Sequence, residues 1–422
     1  MTIKRPRGTN DFLPADTAKW QYIEAMLRDI CAQFGYQELR TPIFEETELF
    51  CRGVGGTTDI VQKEMYTFTD QGERSLTLRP ENTASAARAY LENKLFALSQ
   101  PVKLYYMGPM FRYERPQAGR FRQFHQFGVE VFGSSSPWAD AEVIALAWEF
   151  YSRLAIRNMV LHINSVGCPD CRRKHRQLLQ EFLGGKYDQL CNSCKERFQR
   201  NPLRIMDCKS PVCQQLSQDA PTIYDNLCPD CAEHFAAVRQ ALEAANIPYT
   251  LDKRLVRGLD YYTKTAFEIL VDNIGAQSAI CGGGRYDGLI EELGGEPTPG
   301  VGFALGMERI FSALAAQGDD VQVPASLDAF VVVSPGNEDV ANAAFALVTQ
   351  LRRAGLKVEQ DLLGRSMKAQ FKLADKAGAP QVIIIGEEEL AQKAVLIRNM
   401  ENSEQQLLPA AEVEKYIKNL RR

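Results

Sequence analysis

Apolar residues along the chain recur at spacings that predict alternating helices and strands. In residues 17–34, Trp20, Ile23, Leu27 and Ile30 share one face at helical spacing. The stretch YQELRTPIFE that follows has strand-like composition, and its internal proline suits an edge or interface position. The N-terminal part of the chain is therefore predicted to begin with a helix and then a strand.

Three further stretches have clear periodicity. SLTLRPENTASAARAYLENKLF predicts a strand that runs into a helix. VKLYYMGPMFRYE and GRFRQFHQFGVEVFG alternate apolar and polar residues around a Pro/Gly-containing loop, which predicts a β-hairpin. Two glycine-containing strings come later: CGGGRYDGLIEELGG predicts a glycine-rich turn and a helix, and GVGFALGMERIFSAL predicts a turn leading into a helix.

These patterns predict three domains. Residues 1–167 and 244–320 are expected to form an α+β domain built on an antiparallel sheet with flanking helices. A cysteine-rich, mainly helical insertion at 168–243 interrupts it, and a polar, proline-containing linker is predicted at 318–327. Residues 328–422 alternate as β-α-β-α-β-β, which predicts a C-terminal α/β domain of three layers.

Composition excludes several protein classes. The 422 residues are 45% hydrophobic and 24% charged, unlike collagen-like, disordered or coiled-coil chains. The basic N-terminus is not followed by an apolar stretch, and no run of about 18 apolar residues occurs. We therefore expect a soluble, cytoplasmic protein without a membrane partner. The formal net charge of −4 does not exclude nucleic-acid binding through local patches.

Eight of the eleven cysteines lie in four pairs within the predicted insertion. In a reducing compartment such pairs favour metal binding over disulfides, and two CxxC-like pairs can complete a tetrahedral zinc site. Because the two CPDC pairs bracket the insertion, we expect the outer pairs to share one structural Zn²⁺ and the inner pairs another. The alternative is a set of reduced thiols. The candidate ligands are Cys168, Cys171, Cys191, Cys194, Cys208, Cys213, Cys228 and Cys231.

The hairpin stretch FRYERPQAGRFRQFHQFGVE gathers four arginines in its first twelve positions. Arginines on a pleated sheet are held rigidly, which suits bidentate binding of a polyanion whose charge rises during a reaction. The alternative is a solvated hairpin in which the arginines pair with Glu114 and nearby acids. The surrounding sequence favours the first interpretation.

TLRPENTA precedes this hairpin, and LVRGLDYY, GGGRYDG and GMERI follow it. Together with FRYERP and the N-terminal RGTNDFLP, these strings resemble the histidyl-tRNA synthetases, a class II aminoacyl-tRNA synthetase family. The resemblance implies a class II catalytic domain and a C-terminal anticodon-binding domain. It also implies that ATP with Mg²⁺, L-histidine and tRNA(His) are substrates. RTPIFE resembles the motif through which class II enzymes pair, which implies a homodimer.

The resemblance also implies roles for individual residues. Arg112 would bind the α-phosphate of ATP, Arg257 would lie opposite it, and Arg309 would face the adenine and γ-phosphate; these three are the implied catalytic residues, with Glu114 a further ATP-binding residue. Histidine would be bound by Glu81, Asn82, Thr83, Arg112, Gln126, Glu130, Arg257, Tyr261, Tyr262, Gly283 and Arg285. Arg115 and Gln117 would approach the tRNA acceptor end, and Lys368 and Lys372 would contact the anticodon region.

Two other functions compete with a histidine–tRNA ligase. One is the synthetase-like regulatory subunit of ATP phosphoribosyltransferase in histidine biosynthesis. Relatives of that kind lack the C-terminal module and tend to lose the catalytic arginines, whereas this chain retains Arg112, Arg257, Arg309 and residues 328–422. The other is a zinc-ribbon nucleic-acid-binding protein, which would explain the cysteines alone.

Overall fold

The structure is a computed structural model, and its two compact units are described separately below. They comprise Met1–Val321 and Gln322–Arg422, so the division lies inside the predicted linker. The structure describes residues 3–55, 58, 60–116, 119–206, 208, 210–272, 278–323 and 327–420. Residues 324–326 of the linker therefore lie outside the described residues.

Helices and strands of the first unit are interleaved along the chain. In chain order they are α1 Pro14–Gln33, β1 Gln37–Glu38, β2 Phe44–Glu46, α2 Thr47–Phe50, β3 Tyr66–Thr69, β4 Ser75–Leu78, α3 Thr83–Glu92, β5 Val102–Phe111, β6 Gln123–Phe132, α4 Pro137–Arg153 and β7 Met159–Ser165. There follow α5 Pro169–Gly184, α6 Asn192–Arg200, α7 Pro211–Leu216, α8 Pro229–Ala244, β8 Thr250–Leu251, β9 Thr263–Val271, β10 Ala279–Arg285, α9 Leu289–Glu292, β11 Gly300–Gly306 and α10 Met307–Ala316.

The main sheet has eight strands in the order β1-β5-β6-β11-β10-β9-β7-β8. Its central strands are antiparallel, while β1 pairs with β5 and β8 pairs with β7 in parallel at the two edges. A smaller sheet has the order β2-β4-β3. The expected α+β fold with an extensive antiparallel sheet and flanking helices is confirmed.

One face of the main sheet is covered by helices and forms the principal core. Side chains of α1, α4 and α10 pack there against Phe127, Val129, Phe267 and Phe303. The four apolar residues predicted to share a face of the first helix are all buried in this core. Because side chains alternate across a strand, the residues between these positions point to the other face of the sheet.

Three local predictions about this unit are wrong. CGGGRYDG and GVGFALG are strands β10 and β11, not turns, because they pair with each other and with β9 and β6 in the centre of the sheet. YQELRTPIFE is not one strand. It splits around Pro42 into β1 and β2, which belong to different sheets. Proline cannot donate to a ladder, which accounts for the break at this position.

The cysteine-rich segment is mainly helical, as predicted. Cys168, Cys191 and Cys228 are the N-cap residues of α5, α6 and α8, and each has its partner thiol in the following first turn. A proline follows the N-cap of α5 and α8, where a missing backbone N–H costs nothing. The CPDC spacing thus places two sulfurs together at the start of a helix.

The second unit is a separate α/β domain. Its elements are β12 Ala329–Val333, α11 Glu338–Arg353, β13 Val358–Gln360, α12 Met367–Lys376, β14 Gln381–Ile385, α13 Glu387–Ala391, β15 Ala394–Asn399, β16 Gln405–Pro409 and α14 Val413–Leu420. The strand order is β13-β12-β14-β15-β16, and apolar clusters cover both faces of the sheet. The predicted three-layer α/β domain is therefore confirmed, with β16 as an additional edge strand. Among the helices of the described residues, none is both long and apolar enough to cross a membrane.

Candidate functional site

Small residues occupy neighbouring positions on the second face of the main sheet. Gly128, Ala304 and Gly282 lie in one row across β6, β11 and β10, and Glu268 of β9 continues that row. Gly302 and Gly284 lie in the adjacent row beside Glu130 and Ala266. Without bulky side chains, this part of the sheet is a floor over which functional groups from other segments can approach the backbone.

Arg112 lies at one end of this floor, just after β5. Its Nε donates to the carbonyl of Pro80 at 2.9 Å, and its guanidinium lies 5.1 Å from the ring centre of Phe124 on β6. Glu114 lies between two arginines, with 3.9 Å to Arg112 and 3.2 Å to Arg120. These contacts fix the direction of the Arg112 guanidinium before any ligand binds.

Arg257 extends over the same face from the irregular segment before β9. Its Nη1 forms an ion pair with Glu268, and its guanidinium lies 5.5 Å from the ring centre of Tyr262. A Cβ on Gly282 would be only 2.6 Å from Nη1, so the guanidinium lies directly above the backbone of β10. Burial lowers the pKa of Arg257, but Glu268, Tyr262 and Tyr261 together outweigh it and hold the pKa above its ordinary value. Arg112 and Arg257 therefore share one face of the sheet.

Arg309 closes the end of the floor nearest Arg112. It lies in the first turn of α10, directly after β11, and its Nη1 donates to the carbonyl of Ala279. Burial and the neighbouring Arg120 lower the pKa of Arg309. Arg309, Arg112, Glu114 and Gln126 line one cavity of about 170 Å³. This cavity is suited to a polyanion.

Two buried carboxylates lie further along the floor. Tyr106 donates to Glu130 Oε1 at 3.1 Å, and Tyr286 donates to Oε2 of the same carboxylate. Burial raises the pKa of Glu130 to about 8. Glu81 accepts the backbone N–H groups of Thr83 and Ala84 at 2.8 and 3.0 Å, and burial raises its pKa as well. This pocket therefore carries acceptors that a cationic or N–H-bearing ligand can satisfy.

Three more predicted residues lie around these carboxylates. Tyr261 and Tyr262 are buried with their rings 4.7 Å apart. Burial raises the pKa of Tyr261, and Tyr262, Glu81 and Glu130 raise it further. Gln126 is buried too, and among the described residues its Oε1 has no hydrogen-bond partner. A buried amide oxygen without a partner is costly, and a bound N–H group would remove that cost.

Two residues predicted to contact histidine, Arg285 and Gly283, lie on the core side of the sheet and not on the side of the floor. Arg285 is fully buried and donates to Asp140, Asp287 and the carbonyls of Ser134 and Ser136, so its side chain holds the fold together. The reason is the period of the strand: Arg285 follows Gly284 and points to the opposite face.

Gly283 faces the core for the same reason, since a Cβ there would lie 2.5 Å from Cβ of Phe303. Gly282 and Gly284 are the glycines of this motif that form part of the floor. Asn82 has its Oδ1 occupied by Thr41 at 2.7 Å and by Arg79 at 3.2 Å, and its φ is −122°. Its buried Nδ2 has no hydrogen-bond partner among the described residues, so a histidine contact of Asn82 stays a prediction beside those of Glu81 and Thr83.

Sequence reasoning did not single out Tyr106 and Tyr286, although both contact Glu130. Tyr106 pairs with Gly128, two residues before Glu130 on β6, so strand alternation could have suggested it. Tyr286 stands inside the quoted GGGRYDG string but follows the last residue of β10. Its direction depends on the end of that strand and could not be read from spacing.

The eight clustered cysteines form two separate groups. Cys168, Cys171, Cys228 and Cys231 make the outer group, and Cys191, Cys194, Cys208 and Cys213 make the inner group; within each group the sulfurs lie within 4.8 Å of one another. The four-residue membership of each group agrees with the outer and inner sharing predicted from the sequence.

The sulfur spacing fits a tetrahedral metal. Four ligands at about 2.3 Å from Zn²⁺ place their sulfurs about 3.8 Å apart. The distances are 3.6 Å for Cys168–Cys171, 3.9 Å for Cys168–Cys228 and 3.9 Å for Cys191–Cys208. Backbone N–H groups also point at Sγ atoms, as Cys228 does to Cys171 at 3.1 Å. Such donors stabilise metal-bound thiolates.

The predicted tRNA contacts lie on the surface or outside the described residues. Arg115 is exposed in the loop after β5, and Gln117 lies outside the described residues. Lys368 and Lys372 are exposed on α12 of the second unit, one helical turn apart.

Comparisons with known proteins agree with this geometry. A family model described as histidyl-tRNA synthetase matches residues 8–170 and 213–310, and one described as an anticodon binding domain matches residues 330–420. Histidine–tRNA ligase of Desulfitobacterium hafniense is 57% identical over 99% of this chain and 98% of its own length.

Two further relatives cover the full length. Histidine–tRNA ligase of Moorella thermoacetica is 54% identical over 100% of this chain and 99% of its own length. The crystal structure of the ligand-free histidyl-tRNA synthetase of S. aureus superposes with a TM-score of 0.85 at 40% identity, covering 99% of this chain and 100% of that one.

Proposed function

The chain belongs to the histidyl-tRNA synthetase family, and from that premise we propose how its own residues carry out the reaction. It is a histidine–tRNA ligase, an ATP-dependent aminoacyl-tRNA synthetase, and not the regulatory subunit considered as the alternative. Full-length similarity to curated ligases carries that conclusion. The roles of individual residues that follow are our proposal.

Activation of histidine takes place over the glycine floor. A carboxylate oxygen of histidine attacks the α-phosphorus of ATP, which enters with its Mg²⁺. The bond from that phosphorus to the β-bridging oxygen breaks, so histidyl-adenylate forms and pyrophosphate leaves. Arg112 and Arg257 approach the α-phosphate from two sides and offset the charge that grows on its oxygens. The position of both guanidiniums on one sheet face supports this assignment.

The cavity beside Arg309 takes the rest of the nucleotide. Arg309 faces the adenine and the γ-phosphate, and Glu114 keeps Arg112 and Arg120 apart and correctly directed. Preorganised guanidiniums need little rearrangement when the phosphates arrive, which is the source of their catalytic effect.

Histidine itself occupies the pocket between the two buried carboxylates. Glu81 and Thr83 bind the α-ammonium group, and Gln126 accepts from it through Oε1, which lacks a partner among the described residues. Glu130 accepts the imidazole N–H, while Tyr261 or Tyr262 serves the second ring nitrogen. A site with such paired partners rejects amino acids that leave its polar groups unmatched.

Transfer to tRNA follows activation. A hydroxyl of the terminal tRNA nucleotide attacks the carbonyl carbon of the adenylate, and AMP leaves. Arg115 and Gln117 contact the acceptor end, and Lys368 and Lys372 contact the phosphates of the anticodon region of tRNA(His). The match of residues 330–420 to an anticodon binding domain supports the second contact.

We further propose that two chains pair through the RTPIFE motif and act in the cytoplasm. Ile43 and Phe44 of this motif are 45% and 51% exposed, and the ring of Phe44 lies 6.3 Å from the half-exposed Phe68. An exposed apolar patch of this kind is what a second copy would cover. Sedimentation equilibrium should give twice the chain mass, and Phe44→Asp should shift the protein towards the monomer.

The two cysteine groups are proposed to hold structural Zn²⁺. Each has four thiolates, which leaves no open position for substrate or water, so the metal takes no part in the ligation. The sulfur–sulfur distances in the structure support this proposal.

Histidine-dependent exchange of pyrophosphate into ATP tests the central proposal. The purified protein should catalyse the exchange with L-histidine and not with L-glutamine or L-phenylalanine, and it should charge tRNA(His). A folded protein that lacks the exchange activity would refute the assignment.

A further inference from the structure

The segment that carries Arg257 has little regular structure of its own. Residues 252–262, between β8 and β9, form turns and irregular backbone that lead to Tyr261 and Tyr262. An irregular segment keeps one geometry only where other parts of the chain satisfy its polar groups. What holds this segment therefore also decides where the guanidinium of Arg257 lies.

The cysteine-rich insertion holds both ends of this segment. At the first end, Arg254 donates through Nη1 to the carbonyls of Ser217 and Gln218 at 3.0 and 3.1 Å, and through Nη2 to Ser217 Oγ at 3.1 Å. Lys253 pairs with Asp225 at 2.6 Å just before it. Every one of these partners belongs to the insertion.

The second end is held at Asp260, directly before the two tyrosines. Arg172 of α5 donates to its backbone carbonyl at 3.2 Å, and Asn201 donates to its Oδ1 at 3.0 Å. Asp260 also packs against Gly55, whose φ is +101° and where a Cβ would lie 2.8 Å from Oδ2. Asp260 is thus the point at which the insertion meets the substrate-binding segment.

The holding residues are attached to the cysteine groups. Arg172 directly follows Cys171 of the outer group on α5. Asn201 is the C-cap of α6, which carries Cys194, and Ser217 is the C-cap of α7, which carries Cys213; both thiols belong to the inner group. The apolar cluster around the inner group is small, with Leu183, Leu190 and Ile205 as its fully apolar buried members. Cores of that size need a covalent or metal crosslink to keep their shape.

We propose that the insertion is a metal-stabilised clamp that positions Arg257, with Zn²⁺ at the inner group as the element that keeps the clamp rigid. This inference rests on the proposed zinc sites. Loss of the inner metal loosens α6 and α7, releases Asn201 and Ser217, and lets residues 252–262 move. Arg254 and Arg172 are positioning residues, since they act on the reaction only through the segment they hold.

Metal content and hydrogen exchange of the full-length protein test the first step. Metal analysis should find two equivalents of zinc per chain in the wild type and one in the Cys194→Ser/Cys213→Ser variant. Amides of residues 253–262 should then exchange at least about tenfold faster in the variant, while those of β6 stay protected. Loss of one zinc with unchanged exchange at 253–262 would overturn the clamp. A zinc content below about half an equivalent in the wild type would refute the proposal that zinc stabilises the clamp.

The two arginines that contact this segment give a test that leaves the thiols intact. Arg172→Ala and Arg254→Ala should keep both zinc ions, increase exchange at 253–262, and lower kcat of pyrophosphate exchange about 10- to 100-fold with little change in the KM for ATP. Arg173→Ala is the control, because Arg173 is 72% exposed and pairs with Asp170 on its own helix. If Arg173→Ala has the same effect, or if neither variant alters exchange at 253–262, the clamp is refuted. Wild-type exchange activity tests the proposed function separately.

Discussion

The guanidinium of Arg257 lies directly above the α-carbon of Gly282, so closely that a Cβ there would be 2.6 Å from Nη1 and 2.7 Å from Cζ. Strand β10 therefore needs glycine at this position for a reason unconnected with turns. The absent side chain leaves the room in which the arginine reaches over the sheet towards Glu268.

Gly282→Ala should displace the guanidinium and slow histidine activation about 100-fold, since misplacement by about 1 Å has effects of that size. Steady-state pyrophosphate exchange measures the loss. Gly288→Ala is the control, because a Cβ at that position meets nothing within 4 Å. Equal activity of Gly282→Ala and the wild type would show that Arg257 does not need its present position.

Arg112→Lys should reduce the rate of adenylate formation by about 10²–10³, the usual effect of removing one preorganised donor from a charged transition state. Lysine keeps the charge but loses the fork that donates to Pro80 while facing the phosphate. Rapid quench under single-turnover conditions gives the rate. Arg74→Lys, an exposed arginine paired with Asp70, should retain wild-type kinetics.

The stability of the protein should depend on pH through Glu130. Burial raises the pKa of this carboxyl from 4.5 to about 8, so the folded state binds its proton more tightly than the unfolded state does. The stabilising contribution is full below pH 4.5 and is lost as pH rises through about 8. At about 1.4 kcal/mol per pKa unit, the loss amounts to a few kcal/mol.

Glu130→Gln removes this titration. The melting temperature of the variant relative to wild type should therefore rise between pH 5 and pH about 8.5, although histidine binding is lost. Differential scanning fluorimetry without ligands measures it, and Glu181→Gln on the exposed side of α5 is the control. A difference that does not vary with pH would contradict the raised pKa.

Charge reversal on α12 should separate the two half-reactions. Lys368→Glu/Lys372→Glu should raise the KM for tRNA about tenfold or more and leave histidine-dependent pyrophosphate exchange unchanged, because in our proposal these exposed lysines contact only tRNA phosphates. The effect should weaken at higher salt. Lys415→Glu, exposed on α14 of the same unit, is the matched control. A fall in pyrophosphate exchange would contradict this assignment, because it would show that these lysines affect histidine activation.

The sequence alone was sufficient for features that depend on local spacing. The first helix follows from its apolar period, and the hairpin follows from two alternating strings. The outer and inner sharing of cysteines followed from one geometric condition, that the ends of an insertion must meet. The site motifs were recognisable because their arginines and carboxylates occur along the chain in the order typical of the histidyl-tRNA synthetase family.

Only the tertiary structure decided which neighbours in a motif lie on the floor side of the sheet. In GGGRYDG, the alternation of side chains along a strand places Gly282 and Gly284 on one side of the sheet and Gly283 and Arg285 on the other. It does not determine which of the two sides the helices cover. Packing of α1, α4 and α10 settled this, because that face received the apolar core and Arg285 was then paired with Asp140. The hydrogen bonds between the insertion and the segment that carries Arg257 could not be predicted either, since they join residues far apart in the chain and produce no periodic pattern.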